Sequence, residues 1–184
     1  ERWQRVAPTS KDMDELLQWA QRNEVDLIAQ RRLDIIEEAD PVLPDWISMD
    51  IGNDALSLIR FQKYWHILDI VLENMSQHSP DYEFLRQIRE IVEGPARAIA
   101  AKVINHSDFD RMPVVTADNA DDHQGQIILV KPMDARIHPY HVYILPWAHD
   151  QEFLFRSFAE QGLSENIRLL TDRKSTRLNS SHQI

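Results

Sequence analysis

Apolar residues in the first hundred positions recur at helical spacing, and past residue 125 they give way to two short runs rich in β-branched and aromatic side chains. The pattern predicts an α+β fold: four to five helices, then a small β-hairpin or sheet fragment and a C-terminal helix. Thr9 followed by Asp12 reads as a capping box, so a helix is expected to start near Ser10 and to bury Met13, Leu16, Leu17 and Ala20. Leu27, Ile28, Ile35, Ile36 and Ala39 extend the helical pattern until Pro41 and Pro44 end it. The loop from Asp40 to Asp54 brings Trp46, Ile47 and Ile51 to a core edge.

From about Asp54 to Gln77 one helix carries two apolar stripes. Phe61, Tyr64, Trp65, Leu68, Leu72 and Met75 form one, and Leu56, Ile59, Ile67, Ile70 and Val71 the other. A helix apolar on two sides is expected at the centre of the fold. Ser79-Pro80 has the form of an N-cap and first turn, opening a helix whose core face should be Phe84, Ile88, Ile91 and Val92. Gly94-Pro95 is expected to stop or kink it, and Ala96, Ile99, Ala100, Val103 and Ile104 then make a narrow stripe suited to close helix packing.

Residues 107–125 hold five aspartates with little periodicity and read as a polar loop, with a short extended piece at Val114-Val115. Gln126 to Lys131 and Tyr140 to Leu145 read as a hairpin with a long loop. Ala148 to Gln161 returns to helical spacing, Gly162 stops it, and Ser164 is expected to cap a short last helix. Two strands alone are marginal in water, so the ribbon is expected either to pack on the helical body or, the reading favoured here, to find partner strands beyond residue 171. The domain reading is 1–106 helical, 107–125 acidic loop and 126–171 hairpin plus helix, the last expected to be truncated.

Asp172-Arg173-Lys174-Ser175-Thr176-Arg177-Leu178-Asn179-Ser180-Ser181-His182 resembles the in-frame translation of a common short-read sequencing adapter at every position. Residues 172–184 are therefore read as an appended artefact and set apart from fold reasoning. The full chain carries a net charge of −10. Three of its 20 basic residues and one of its 30 acidic residues fall in that tail, which leaves −12 over residues 1–171. Such a charge disfavours nucleic acid and anionic membrane surfaces as partners and favours a protein partner with a basic face.

The chain has no Cys, which removes thiol nucleophiles, disulfides and Cys-ligated metals. A cytoplasmic setting is compatible with that. The longest aliphatic run, Ile127 to Val130, falls far short of the roughly 20 residues that cross a bilayer. Four scattered glycines build none of the phosphate-cradling loops of dinucleotide or P-loop proteins, and neither a Gly-x-Ser-x-Gly nor a His-Glu-x-x-His motif occurs. No resident cofactor is indicated by motif.

Two groups could bind a divalent metal. His138, His141 and His149 with Asp150 lie on or beside the predicted hairpin, and imidazole with carboxylate is a ligand set of zinc, iron or manganese. Their spacing is unfavourable for a single strand, because positions 138 and 141 would face opposite ways. Asp118, Asp121, Asp122 and His123 in the acidic loop form the second group, without the pattern of an EF-hand. Should that loop fold over the hairpin, Asp118 and Asp122 would join the histidines in one site, where a metal could activate water for hydrolysis. Gln62, His66, Asp69 and Glu73 share a stripe of the long helix but lack the Glu-x-x-His motif of bundle metal sites, and read as a polar seam. The sequence thus favours an interaction or scaffolding region of a larger acidic protein, with a metal-dependent hydrolase as the alternative. A small-molecule sensor with a pocket between helices and hairpin is the third possibility.

Overall fold

A computed structural model describes residues 8–22, 43–134, 141–146 and 148–172. Among these residues the chain forms four α-helices, two 3-10 turns and a three-stranded antiparallel sheet, and the fold is α+β as expected. The helices are α1 (Ser10–Arg22), α2 (Gly52–Glu73), α3 (Pro80–Ile104) and α4 (Ala148–Glu160). The 3-10 turns are Ser107–Arg111 and Ala120–His123, and the strands are β1 (Ile127–Val130), β2 (His141–Ile144) and β3 (Ile167–Leu169). The helical pattern at Leu27 to Ala39 lies outside the described residues.

The expected capping box closes α1. Asp12 accepts from the Thr9 backbone N–H and hydroxyl at 2.9 Å each, and its own N–H donates to Thr9 Oγ1 at 3.3 Å. The central helix is α2, where Leu58, Ile59, Phe61, Ile67, Leu68, Ile70 and Val71 are all buried because α1, α3 and β2 pack around it. Ser79 caps α3 by accepting from Asp81 N–H.

Two expectations about α3 are sharpened by the structure. Of the stop or kink expected at Gly94-Pro95, the stop does not occur: the helix runs on to Ile104 with Pro95 inside it. A side chain on the residue before proline clashes in helical conformation, and glycine at 94 removes that clash. The stripe of Ala96, Ala100, Val103 and Ile104 then stays buried, which outweighs the one backbone donor lost to proline. Phe84 is not on the core face: it is 62% exposed, while Leu85 takes the buried position. Arg89 fixes this rotation, donating to Asp69 of α2 at 2.5 Å and stacking 5.1 Å from the centre of the Trp65 ring.

The hairpin forms as expected, with Ile127 opposite Ile144 and Leu129 opposite Val142. The last segment is different. Residues 167–169, expected as a helix, are β3, and β3 pairs with β1 through Ile128 opposite Leu169 and Leu129 opposite Arg168. The sheet order is β2-β1-β3, so the hairpin finds a third strand before residue 171 and also packs one face on the helical body. Local alternation of Ile167, Arg168 and Leu169 suits a strand, and β1 offers the open edge that stabilises it.

Both faces of the sheet are covered, which explains the unbroken apolar run of β1: all four of its residues are buried. Ile127, Leu129, Val142 and Ile144 join the core built on α2 and α3. Ile128, Val130, Ile167 and Leu169 join a second core with Phe158 and Leu163 on the α4 side. Among the described residues no helix is long and apolar enough to cross a membrane.

Candidate functional site

The acidic segment between α3 and β1 is anchored at several points. Asn119 accepts from Thr116 N–H through its side chain at 2.9 Å, Ala120 is buried, and Gly125 N–H donates to Leu145 O at 2.9 Å. The last contact ties the segment to the strand exit of the hairpin. Gln151, buried on the first turn of α4, donates to Pro146 O at 2.9 Å and Ala120 O at 3.4 Å, so the Ala120–His123 turn lies against α4. Between them runs a cleft of about 450 Å³ lined by Ala117, Asp121, Gln151, Glu152, Phe155 and Arg156.

The charges around this cleft are unequal. Asp118, Asp121 and Asp122 are exposed and have no cationic partner among the described residues. Arg156 is already engaged, 3.6 Å from Glu152 and 5.7 Å from the centre of the Phe153 ring. Phe155 supplies apolar floor and packs edge-on against Phe158 of the core, with ring centres 5.9 Å apart. The cleft therefore joins an aromatic floor packed on the core to the unneutralised carboxylate of Asp121, with Asp118 and Asp122 exposed on the same segment and Phe153 of α4 70% exposed.

The predicted metal ligands are placed as follows. His138 lies outside the described residues. His141 opens β2 opposite Val130, and His149 is the second residue of α4, but the described structure does not extend to either side chain. Asp150 is exposed on α4, while Asp118 and Asp122 are exposed on the acidic segment. The fold thus brings the segment bearing Asp118 and Asp122 to the helix bearing His149 and Asp150. Among the described residues no group of three His, Asp or Glu side chains is gathered as metal ligands. His123 is the inward-turned member of its turn, with Nδ1 buried and 3.8 Å from Asp172 Oδ1. In the polar seam of α2, Gln62 is buried, Asp69 pairs with Arg89 and Glu73 is exposed.

Sequence reasoning missed a second polar cluster. Asp108, expected in a solvated loop, is 3% exposed and accepts from Ser48 N–H at 2.7 Å and Ser48 Oγ at 2.6 Å. Ser48 Oγ also bonds Asp50, whose other oxygen receives His106 Nε2 at 2.8 Å. The Asp108 N–H donates to His106 Nδ1 at 3.0 Å, which places the proton of the neutral ring on Nε2. Burial opposes ionisation of Asp108, yet the two Ser48 donors, His106 and Arg111 outweigh it and hold its carboxyl below the usual value. Asp50 is lowered by its bonds from Ser48 and His106. Because the imidazole bonds Asp50 and the Asp108 backbone rather than the Ser48 hydroxyl, the cluster is no nucleophile–base pair. It tethers the loop before α2 to the turn after α3. Its partners stand about sixty positions apart, so no local spacing announces it.

No family model matches the chain, and comparisons with curated proteins and with solved structures return no match. What defines the protein is therefore its own architecture: a three-stranded sheet between two cores, with an acidic cleft on the α4 side.

Proposed function

We propose that this protein is a protein-interaction module whose cleft between the Ala120–His123 turn and α4 receives a basic, apolar-anchored segment of a partner. One observation carries the reading: Asp121, exposed and without a cationic partner among the described residues, lines a cleft floored by Phe155, and Asp118 and Asp122 stand exposed on the same segment. Like charges held on one short turn repel each other, and a Lys- or Arg-bearing ligand relieves that repulsion while its apolar side chain covers Phe155. The overall negative charge adds long-range steering toward a basic partner.

The test is fluorescence anisotropy of the full chain with a labelled peptide of alternating Lys and Leu, and with an acidic peptide of equal length. The basic peptide should bind saturably and lose affinity as salt rises. Asp121→Lys and Glu152→Lys should each weaken it about tenfold, as expected for reversing a partly exposed charge contact. Equal binding of the acidic peptide, or affinity untouched by both charge reversals, overturns the proposal.

A second reading, a metal-dependent hydrolase, is supported by the same packing, which puts the aspartate turn on the helix that carries His149 and Asp150. Elemental analysis of the same preparation separates the two. Stoichiometric zinc or manganese, with a melt that a chelator lowers, favours the hydrolase. A metal-free chain that binds the basic peptide favours the interaction module.

A further inference from the structure

We infer that Lys131 and Arg168 form a phosphate-binding site on the sheet face that looks toward the helical bundle, remote in kind from the acidic cleft. The register puts them together. Arg168 stands opposite Leu129, and Lys131 follows two residues after Leu129, bonding through its N–H to Asn166 O at 3.0 Å. Leu129, Lys131 and Arg168 therefore share one face, and the two cations are diagonal neighbours across the β1–β3 pair.

Both reach the same ring. Lys131 Nζ lies 5.5 Å and Arg168 Cζ 5.2 Å from the centre of Phe109, a buried residue of the Ser107–Arg111 turn. Attraction to the ring face holds each charge there, and the uncharged ring neutralises neither. In a chain rich in carboxylates, neither cation has a carboxylate partner among the described residues. Asp108, next to Phe109, is committed to Ser48 and His106 and pairs with Arg111 at 3.5 Å.

Their donors are also unspent. Arg168 uses Nη1 on Glu165 O at 2.7 Å and Ile167 O at 3.5 Å and its Nε is buried, which leaves Nη2 without a hydrogen bond among the described residues. Lys131 Nζ makes no hydrogen bond among the described residues, and both side chains are half-buried, so an anion can reach them. Two adjacent positive charges with several free N–H donors match a phosphate monoester, which carries close to two negative charges and three terminal oxygens. A carboxylate would neutralise only one of the two cations.

The experiment uses the full chain and inorganic phosphate, at a pH above its second ionisation and at ionic strength held constant with chloride. Phosphate should shift the amide resonances around Phe109, Lys131 and Arg168 saturably and raise the melting temperature. Lys131→Gln, a change at the solvent-reached end of β1, should weaken binding about tenfold or more while the protein still melts cooperatively. Arg168→Lys keeps the charge but loses the planar fork, and should weaken it less. Acetate should bind about tenfold or more weakly than phosphate. Absence of a saturable shift at these three residues overturns the inference. So does phosphate affinity unchanged in a folded Lys131→Gln, and so does equal binding of acetate.

Discussion

The two faces of the sheet are covered by different means. On the bundle side the core is made from long helices whose apolar stripes are local in sequence, with α2 buried on several sides by α1, α3 and β2. On the α4 side it is made from pieces: one 13-residue helix, a three-residue strand, the buried Val115 and Ala120 of the acidic segment, and Leu163 just past a turn. β1 belongs to both, sending Ile127 and Leu129 one way and Ile128 and Val130 the other. The contrast teaches that a core built from periodic elements can be placed from sequence alone, whereas one closed by topology needs its pairings.

The largest expected effect probes whether the shared strand makes the two cores one cooperative unit. Phe158 is 2% exposed and meets Tyr143 edge-on with ring centres 5.4 Å apart. Phe158→Ala should lower stability by about 3–5 kcal/mol, and Ile67→Ala, in the opposite core, by about 2–5 kcal/mol. Urea melts followed by hydrogen exchange at α2 and at β3 should give coincident transitions in both variants, because losing either core strips one face of β1. Transitions that separate, with α2 protected after β3 has opened, would break the picture of a single unit.

The next effect lies on the bundle side and concerns charge. Asp108→Ala leaves the Ser48 N–H and hydroxyl short of a buried acceptor and should cost about 1–3 kcal/mol near neutral pH. The sign with pH follows from the lowered pKa of Asp108. Its contribution is fully present above the unfolded carboxylate value of 3.8 and is lost as pH falls through the lower folded value. The stability gap between parent and variant should therefore narrow below about pH 4. A gap that stays constant into more acidic solution would show that the carboxylate is not held ionised by this network.

The same contrast explains what was legible in the sequence. The Thr9 cap, the centrality of α2, the Ser79 cap, the hairpin and the Gly162 stop all rest on neighbours within a few positions, and the fold shows them. The extended piece at Val114 is also present, as a bridge to Arg168. What failed was non-local or a contest between rules. β3 was hidden because three residues with a serine before them satisfy a helix start as well as a strand, and only the open edge of β1 decides. Phe84 was misplaced because Leu85, one position on, takes the buried place at that end of the stripe, while Val92 at the other end is buried as expected. Of the candidate site, the aspartates of the acidic turn were visible, but their apposition to α4 through Gln151 was not. The Ser48–Asp108 tether and the Lys131–Arg168 pair were invisible, since each joins residues dozens of positions apart.

The smallest effect returns to the α4 side, at the turn that sends the chain from α4 toward β3. Gly162 has φ 73°, and beside it Leu163 N–H donates to Phe158 O at 2.8 Å, the long-range bond of a left-handed helix stop. A Cβ at this position would meet only Met133 Sδ at 3.6 Å, an ordinary contact, so the cost of a side chain is conformational rather than steric. Left-handed backbone costs an L-residue about 1–2 kcal/mol. Restricting the unfolded chain returns about 0.4–1 kcal/mol. The first quantity is larger, so Gly162→Ala should destabilise by about 1 kcal/mol. Gly162→Asn should lose less, because a short amide side chain tolerates this conformation. Thermal melts of the two variants order these outcomes directly. An alanine variant as stable as the parent would mean that the turn relaxes out of the left-handed region. The short path from Phe158 to β3 would then not be what holds the third strand on β1.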